Sequence, residues 1–580
     1  MKWLVRNGLD RGGALAVAVL VVYGLLAPDH IVDTDNGEFT TLGALGGGAH
    51  PSGYPLYLMI LRALSWLPGS PAHASALATV LIAVVLVLVL HAAARAWGAS
   101  PIAATLACAL YAAGPFVMRM HTEAEVFALN GLLGAAILLL AADRGPARGL
   151  WRVGLLALVA GLGLANHLTC VFLAPIGLHG VVRGGREHAG WGAVIGVAIA
   201  GLVVGLLPYA YLFLTDENLL SWPAPHSLGD LWAIISRKEY GAGSIGVAGS
   251  TAGSMPSVLG ALFAFTGRSW LWLPPLLGVA VLVMRGIKGE GEVPRAAWWT
   301  LAASWLLAGP VLTLIADAPA EGFGLFVLRR YQMLSLVVLA IPIAVGFDEI
   351  ARRIPELANR ARLGHALALA TFVGAAMTSL PRVRALHSPA VELCSRNLLG
   401  SLPPAAVVIG EGDDLHVGTR YLQLALGVRP DVTYIHLAGL GARWYRERIE
   451  RLGVPIGAIS GPGASTALAT QILATGRPVF IASRRMGVLR DLPAYPYGIV
   501  LRVLPKGSAL PSLDEVVQLN QQLYSRFDLS APKPGPDDEL AVDVALRYAA
   551  PWQMLAGALQ AAHRPSDAKA AAELARQLAP

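Results

Sequence analysis

Four acidic side chains lie close together directly after the first long apolar run of the chain. They are Asp29, Asp33, Asp35 and Glu38, in the stretch DHIVDTDNGE. Asp35 and Glu38 are three residues apart, which places them on one face of a helix, where paired carboxylates can hold or take up a proton. The same spacing also occurs in helix capping boxes. We interpret Asp29 and Asp33 as solvated loop or cap residues, and the other two as the functional pair.

A loop rich in glycine and proline follows the acidic stretch. It reads GGGAHPSGYP (46–55), and it runs directly into the apolar segment that begins YPLY. Its glycines allow the backbone to approach a ligand closely, and its prolines stiffen the entry to a helix. His50 lies between them as a potential hydrogen-bond donor.

Further polar residues stand at the ends of later apolar runs. Glu125 begins one run, where an acid at a helix N-terminus is either a simple cap or a functional group. Asn130 follows one helical turn later and can brace a neighbour, and His167 lies at the edge of another run. Ionisable groups at such edges are often functional, although a lone histidine is more often interfacial. Arg329 and Arg330 open a run, where paired arginines suit a phosphate or else snorkel to lipid head groups.

Several familiar catalytic signatures are missing from the sequence. The stretch GEGDD (410–414) lacks the Gly-Lys-Ser/Thr ending of a phosphate loop, there is no His-Glu-x-x-His, and no Gly-x-Ser-x-Gly precedes a strand-to-helix turn. The pair of aspartates in DTD (33–35) is weak evidence for a metal. Three scattered cysteines form neither a Cys-x-x-Cys motif nor a disulfide framework. An ATP-driven pump and a structural metal site are therefore not expected.

The composition is that of a membrane protein. Of 580 residues, 55% are hydrophobic and only 14% are charged, and the mean hydropathy is +0.58. Soluble domains carry about 25% charged residues. The net charge of +7 does not indicate nucleic-acid binding, because the basic residues are spread over short loops between apolar runs. The sequence predicts a mainly α-helical protein that crosses the bilayer many times.

The apolar runs predict eleven transmembrane helices. They lie near 13–27, 74–97, 100–118, 126–142, 150–165, 168–182, 191–214, 270–285, 296–316, 328–347 and 364–380. The first is interpreted as an uncleaved span rather than a signal peptide, since no A-x-A-like cleavage site follows it. The apolar stretch 54–67 contains Arg62 and is shorter than the ~20 residues that cross a bilayer. It is predicted to be a juxtamembrane helix.

Basic residues fix the predicted orientation. With 54–67 on the surface, one set of loops holds sixteen lysines and arginines and the opposite set holds five, besides Arg329 and Arg330 at a helix end. The richer set is cytoplasmic by the positive-inside rule. The N-terminus is then cytoplasmic in an inner, or plasma, membrane. The acidic stretch and everything after residue 380 are extracytoplasmic.

The chain divides into three predicted domains: a transmembrane catalytic domain (1–380), an extracytoplasmic α/β domain (381–529), and a linker with C-terminal helices (530–580). Strands of the α/β domain are expected at 405–410, 431–437, 478–483 and 497–505, with helical stretches between them. The Pro/Gly/Asp-rich stretch 530–539 reads as the linker. The alanine-rich end reads as a helical hairpin, too short to indicate a repeat array.

Several motifs resemble one membrane-protein family when taken in chain order. They are DNGEF (35–39), AHPSGYPLY (49–57), EAEVFALN (123–130), GLGLANHLTCVFLAP (161–175), RRYQ (329–332) and GDD…YLQLALGVRPDV (412–432). Together they resemble the protein O-mannosyltransferase-like membrane proteins, which are similar in plan to the GT-C glycosyltransferases. The chain departs from the family pattern at Ser52, Phe127 and Ala165, and the RRYQ stretch lacks the family's acid. The likeness covers residues 1–440 patchily.

The resemblance implies a GT-C-like bundle and a metal-independent, inverting glycosyltransferase. Such an enzyme moves a mannose-like sugar from a polyprenyl phosphate to an acceptor hydroxyl of a protein or glycan at the outer membrane surface. Asp35 is then the catalytic base, and Glu38 orients the acceptor or shares a proton. The implied substrate-binding residues are His50, Tyr54, Glu125, Asn130, His167, Arg329 and Arg330. No cofactor is implied, and a divalent metal is not favoured.

A transporter or flippase for lipid-linked glycans is the alternative function. Transporters place ionisable residues in the middle of spans and often contain broken helices. Here the middles of the predicted spans are nearly free of charge, and the polar groups gather at one side. This distribution favours the enzyme. A third interpretation, in which the α/β domain binds a ligand and the helices only anchor it, does not explain eleven spans.

Overall fold

The structure is a computed structural model of the 580-residue chain. It describes residues 10–188, 190–240, 254–270, 273–289, 293–316, 318–352, 361–457, 464–482, 492–535 and 538–579. The chain forms two compact units. The first comprises Met1–Asp29, Gly46–Asp216 and Ala224–Arg384, and the second comprises His30–Leu45, Glu217–Pro223 and Ala385–Pro580. The acidic stretch therefore groups with the C-terminal part of the chain, which differs from the predicted division at residue 380.

The regular elements described in the first unit are helices. Up to residue 206 its helices are α1 (Asp10–Gly24), α3 (Pro55–Ala63), α4 (Pro71–Ala96), α5 (Pro101–Ala113), α6 (Pro115–Met120), α7 (Phe127–Ala141), α8 (Gly149–Asn166), α9 (Ala174–Arg186) and α10 (Trp191–Leu206). The later helices are α11 (Leu228–Ile235), α12 (Met255–Trp270), α13 (Leu273–Lys288), α14 (Arg295–Leu306), α15 (Leu312–Ile315), α16 (Gly322–Tyr331), α17 (Met333–Ala351) and α18 (Ala361–Leu386).

Each of the eleven predicted spans has an apolar helical counterpart, but the count of eleven is not confirmed. Within the described residues, seven helices are long and apolar enough to cross a membrane, or eight if the bent pair α12 and α13 forms one span. The counterparts of the other three predicted spans are the shorter helices α1, α5 and α7. At 1.5 Å per residue, 13–15 residues span about 20–22 Å, less than the ~30 Å hydrocarbon core.

Proline explains one of the short helices. The predicted span 100–118 is split into α5 and α6 at Gly114, which precedes Pro115 and is extended, with ψ of 129°. A residue before proline is pushed out of the α region, and proline offers no N–H to continue the helix. The predicted surface segment 54–67 forms the nine-residue helix α3.

Small residues bring two helices of the first unit into backbone contact. A Cβ atom added at Gly161 of α8 would lie 2.5 Å from the Leu202 carbonyl oxygen of α10. One added at Gly205 of α10 would lie 2.3 Å from the Leu158 carbonyl oxygen of α8. Such approaches are typical of membrane helix pairs, which gain van der Waals contact where side chains are absent. Neither position has room for a larger residue.

The second unit contains a five-stranded sheet. Its strands are β1 (Val407–Gly410), β2 (Thr433–His436), β3 (Val479–Ala482), β4 (Ala494–Tyr497) and β5 (Val500–Val503), in the order β2-β1-β3-β5-β4. Strand β1 pairs in parallel with β2 and β3, and β5 pairs antiparallel with β3 and β4. The strands predicted from the sequence are present. Strand β4 was not predicted, because Pro496 makes its sequence unlike a strand, and it lies at the sheet edge where proline is tolerated.

Helices complete the second unit. They are α2 (Thr34–Leu45), α19 (Ala390–Ser401), α20 (Asp413–Arg420), α21 (Arg443–Glu450), α22 (Ala464–Leu473), α23 (Leu513–Tyr524), α24 (Glu539–Ala561) and α25 (Pro565–Leu578). Helices α24 and α25 form the predicted C-terminal hairpin, whose core includes Trp552, Leu555 and Leu559. Arg547 of α24 makes a bidentate ion pair with Asp414 of α20, with both N–O distances 2.7 Å and both side chains 6% exposed.

A stacked histidine pair makes the second unit sensitive to acid. The rings of His416 and His436 lie 4.5 Å apart with an interplanar angle of 12°. Burial lowers the pKa of His416 well below 6.5, and His436 and Arg420 lower it further. Burial also lowers the pKa of His436, although Asp413, 3.4 Å from its Nε2, acts in the opposite direction.

We therefore expect the second unit to lose stability as the pH falls. The unfolded chain takes up protons on both histidines near pH 6.5, whereas the folded chain takes them up only at lower pH. The free energy of unfolding is then fully present above pH 6.5 and decreases below it. Thermal unfolding of the detergent-solubilised chain should give a lower Tm at pH 5 than at pH 7.5. His416→Asn should narrow that difference, and an unchanged difference would contradict the assignment.

Candidate active site

The acidic helix α2 is capped by Asp33. The Asn36 N–H donates to Asp33 Oδ1 at 2.9 Å, and Asn36 Oδ1 accepts the Val32 N–H at 2.9 Å. These two bonds satisfy backbone donors at the start of the helix in the manner of a capping box. Asp33 is 1% exposed. Asp33 is therefore the N-cap of α2, one of the two roles expected for it from the sequence. Asp35 and Glu38 lie inside the helix and do not form the capping pair.

Asp35 and Glu38 occupy the first two turns of α2. Asp35 is half-buried, and Glu38 is 6% exposed, within a run of buried residues from Asn36 to Gly43. Carboxylates are rarely buried unless a partner or a function compensates for their desolvation. The helix dipole favours a negative charge at this end of the helix. A half-buried carboxylate on a rigid helix suits a general base.

An aromatic cluster surrounds His167, the residue that follows α8. The His167 ring centroid lies 5.8 Å from Tyr54, 5.5 Å from Phe127 and 6.1 Å from Tyr331. The His50 ring lies 4.9 Å from Tyr54, edge to face. The structure thus brings together three residues that the sequence predicted separately, His50, Tyr54 and His167. Tyr54 is also left-handed, with φ of 45°, which orients its ring at the start of α3.

A hydrogen-bonded chain fixes the tautomer of His167. Its Nδ1 accepts the Thr169 backbone N–H at 3.3 Å and lies 2.7 Å from Thr169 Oγ1, which in turn accepts from Asn130 Nδ2 at 3.0 Å. Nδ1 is therefore an acceptor, and the neutral ring carries its proton on Nε2. The predicted residue Asn130 contributes here by orienting His167 through Thr169. His167 can present an Nε2–H donor to a sugar hydroxyl or a phosphate oxygen.

Two buried ion pairs lie against the ring of Phe326. Arg330 Nη1 is 3.2 Å from Glu125 Oε1, and Arg119 Nε is 2.7 Å from Glu123 Oε1. The guanidinium carbons of Arg330 and Arg119 lie 4.5 Å and 4.9 Å from the Phe326 ring centroid. The predicted residues Glu125 and Arg330 are therefore direct partners. Glu125 holds the Arg330 guanidinium in one orientation. Arg329 is half-buried on the same helix, α16.

The matched motif of the α/β domain has a structural role within that domain. Arg429 donates to the carbonyl oxygens of Leu399, Leu402 and Pro403 and pairs with Asp431 at 2.8 Å. Gln423 Nε2 donates to the carbonyl oxygens of Arg429 and Val432 at 3.0 and 2.7 Å. Every polar contact described for these side chains is with the domain itself. The matched Gln and Arg-Pro-Asp residues therefore tie the loop before β2 to α19.

The chain is similar to known proteins both in sequence and in structure. Residues 35–184 match the family model described as the N-terminal domain of protein O-mannosyl-transferase TMEM260. Protein O-mannosyl-transferase TMEM260 of Mus musculus is 24% identical over 464 residues, which is 77% of this chain. The crystal structure of ArnT from Cupriavidus metallidurans bound to undecaprenyl phosphate matches with a TM-score of 0.51 at 14% identity, over 86% of this chain and 99% of ArnT.

The resemblance to protein O-mannosyltransferase-like membrane proteins that the motifs indicated is confirmed by the family model and the mouse relative. ArnT in the apo state matches equally well, and at this identity the likeness shows a shared fold. The chain spans 65% of the length of its curated mouse relative. With its long apolar helices and its similarity to membrane proteins, the chain is an integral membrane protein. The family model begins at Asp35 and covers the predicted site residues other than Arg329 and Arg330.

Sequence reasoning missed several residues that the structure places around the predicted ones. Tyr331 and Phe326 gave no signal, because single aromatic residues near a span usually anchor it in the interface. Thr169 follows His167 by two residues, within the matched N-H-x-T segment, and this spacing was the available clue. Arg119 and Glu123 are four residues apart, the spacing of a helical ion pair.

Proposed function

We propose that the protein is an inverting membrane glycosyltransferase. It moves a mannose-like sugar from a polyprenyl phosphate to an acceptor hydroxyl, with serine or threonine of a protein as the expected acceptor. The half-buried carboxylate of Asp35 on a capped helix is the observation that carries the proposal. The similar proteins support it, since one is named a protein O-mannosyl-transferase and the ArnT crystal structure is bound to undecaprenyl phosphate.

The proposed reaction is a direct displacement at the anomeric carbon. The acceptor oxygen attacks that carbon and loses its proton to Asp35, while the bond from the sugar to the phosphate oxygen breaks. The phosphate leaves with the electron pair and gains negative charge. Glu38 orients the acceptor or shares the proton. No step requires a metal, so metal independence is part of the proposal.

The proposed donor ligands are the cationic and hydrogen-bonding residues of the first unit. Arg330, oriented by Glu125, stabilises the charge that develops on the leaving phosphate, and Arg329 assists it. The Nε2–H of His167 donates to the donor, and the neighbouring Tyr54 and His50 shape the surface that the sugar contacts. Asn130 acts through Thr169 on the orientation of His167.

A transfer assay tests the proposal. The protein is purified, placed in nanodiscs, and incubated with radiolabelled polyprenyl-phosphate mannose and a set of acceptor proteins. We expect label to move into an acceptor in the wild type, with the anomeric configuration inverted, and addition of EDTA to leave the rate unchanged. Movement of intact labelled lipid between leaflets of proteoliposomes, without any transfer, would instead favour the flippase alternative.

The proposed orientation can be tested separately from the chemistry. Reporter fusions at positions 45 and 420 should both report the extracytoplasmic side, and a fusion at 187 should report the cytoplasm. The expectation follows from the basic residues, which are concentrated in one set of loops. Opposite sides for 45 and 420, or the same side for 187 and either of them, would contradict it.

A further inference from the structure

Helix α2 belongs to the same compact unit as the C-terminal part of the chain. The residues just before it are bonded to the segment that begins that part. The Ile31 N–H donates to Glu392 Oε2 at 3.2 Å, and His30 Nε2 donates to the His387 carbonyl oxygen at 3.0 Å. Glu392 is in turn held by Arg396 at 2.9 Å. The acidic helix is therefore fixed at its start by the α/β domain.

The glycine between the two acids packs directly on that domain. A Cβ atom added at Gly37 would lie 2.6 Å from Cγ1 of Val417 in α20 and 3.1 Å from Cδ1 of Ile31. Real Cβ atoms do not approach other carbon atoms so closely, and valine is stiff at χ1. Gly37 stands between Asn36 and Glu38 in the matched motif. Its missing side chain is what lets α2 lie against α20.

Helix α20 is itself held firmly on its other sides. The buried Asp414–Arg547 pair ties its first turn to the hairpin helix α24, and Arg547 also donates to the Glu411 carbonyl oxygen at 3.1 Å. At Gly418, an added Cβ atom would lie 2.2 Å from Ser395 Oγ of α19. Because α20 cannot retreat, a change at its contact with α2 is expected to move α2.

We propose that the C-terminal α/β domain positions the catalytic acids, with Val417 as a positioning residue that acts through Gly37. The inference rests on the proposed function, since it assigns the domain a part in the same reaction. Asp35 and Glu38 flank the contact, at two residues and one residue from Gly37. A shift of about 1 Å in a reacting group can lower a rate about 100-fold. A small displacement of α2 at this contact is therefore expected to lower the rate of sugar transfer.

The test pairs a damaging change with its relief. Gly37→Ala should lower kcat at least tenfold in the nanodisc transfer assay while the donor KM changes less than threefold. Gly400→Ala in α19 is the matched control, because a Cβ atom there meets nothing within 4 Å in the same unit. It should leave kcat and Tm unchanged. A Gly37→Ala variant with wild-type kcat would overturn the proposal.

Relief by a second change distinguishes positioning from misfolding. Val417→Ala removes the Cγ1 atom that the new Cβ meets, so the double variant Gly37→Ala/Val417→Ala should recover most of the lost kcat. Val417→Ala alone should lower kcat less than Gly37→Ala does. If the double variant stays as slow as Gly37→Ala, the contact with α20 does not set the position of the acids.

A readout without turnover keeps the inference separate from the proposed function. Hydrogen–deuterium exchange of residues 30–45 should become faster in Gly37→Ala and return towards the wild-type rate in the double variant. If the wild-type protein transfers no sugar but exchange follows this pattern, the proposed function fails while the packing relation stands. If sugar transfer is present and exchange is the same in all variants, the inference fails while the proposed function stands.

Discussion

Asp35→Asn is expected to lower the rate of sugar transfer by about 10²–10⁴-fold, the usual effect of removing a general base. Asparagine keeps the shape of the side chain and its hydrogen-bonding capacity but cannot accept the acceptor proton. Binding of the polyprenyl-phosphate donor should be nearly intact, because the proposed donor ligands are other residues. The rate and the donor affinity are measured on the purified variant in nanodiscs.

Two neighbouring acids serve as controls for Asp35. Glu38→Gln should lower the rate less, since Glu38 has an orienting or sharing role. Asp29→Asn should lower it hardly at all, because Asp29 is an exposed residue ahead of the helix. A purely structural role of Asp35 predicts the reverse, with a lower Tm or yield but active folded protein. If Asp35→Asn transfers sugar within about threefold of the wild-type rate, the mechanism is wrong.

Arg330→Met is expected to weaken both folding and donor binding. It leaves the Glu125 carboxylate, 1% exposed, without the guanidinium that now lies 3.2 Å away. Removing one partner of a buried ion pair typically costs about 3–5 kcal/mol in the free energy of unfolding. It also removes the cation proposed to hold the phosphate, so the donor KM should rise at least tenfold. Thermal unfolding in detergent and the transfer assay measure the two effects.

A double variant and a matched control separate these two effects. Arg330→Met/Glu125→Gln removes the stranded charge, so it should regain stability but keep the raised donor KM. Arg119→Met breaks the comparable buried pair with Glu123, which also lies against Phe326. It should lower Tm without a similar rise in KM. Recovery of the wild-type KM in the double variant would show that Arg330 only balances Glu125.

The fold was predictable where local patterns are strong. Long apolar helices such as α4 and α17 and the buried strands of the sheet follow from composition and periodicity. The lengths of α5 and α6 were harder to predict, because the break between these helices depends on the single residue Pro115. The number of spans depends on how these short helices lie in a bilayer, which a hydropathy pattern does not determine.

The candidate site was predictable as a set of residues but not as a set of partners. The motifs at 123–130 and 329–332 indicated Glu125 and Arg330 as site residues. Their ion pair joins positions 205 residues apart, and no local sequence pattern reveals such a pairing. Likewise, nothing in the sequence around Gly37 indicates a packing role, whereas in the structure Gly37 packs against Val417. Such long-range contacts come from tertiary packing, and a single sequence does not encode them in any readable spacing.

The grouping of α2 with the C-terminal unit has a consequence for biogenesis. The ribosome makes α2 roughly 340 residues before it reaches Ala385, where its packing partners begin. At a synthesis rate of about 5–20 residues per second, α2 waits about 20–70 s before the residues that pack against it are made. Most of α2 is buried in the finished protein, so during that interval its apolar face is exposed to chaperones and proteases. A chain that terminates before residue 385 would never bury this helix, and the quality-control machinery of the membrane would meet it as an unfinished protein.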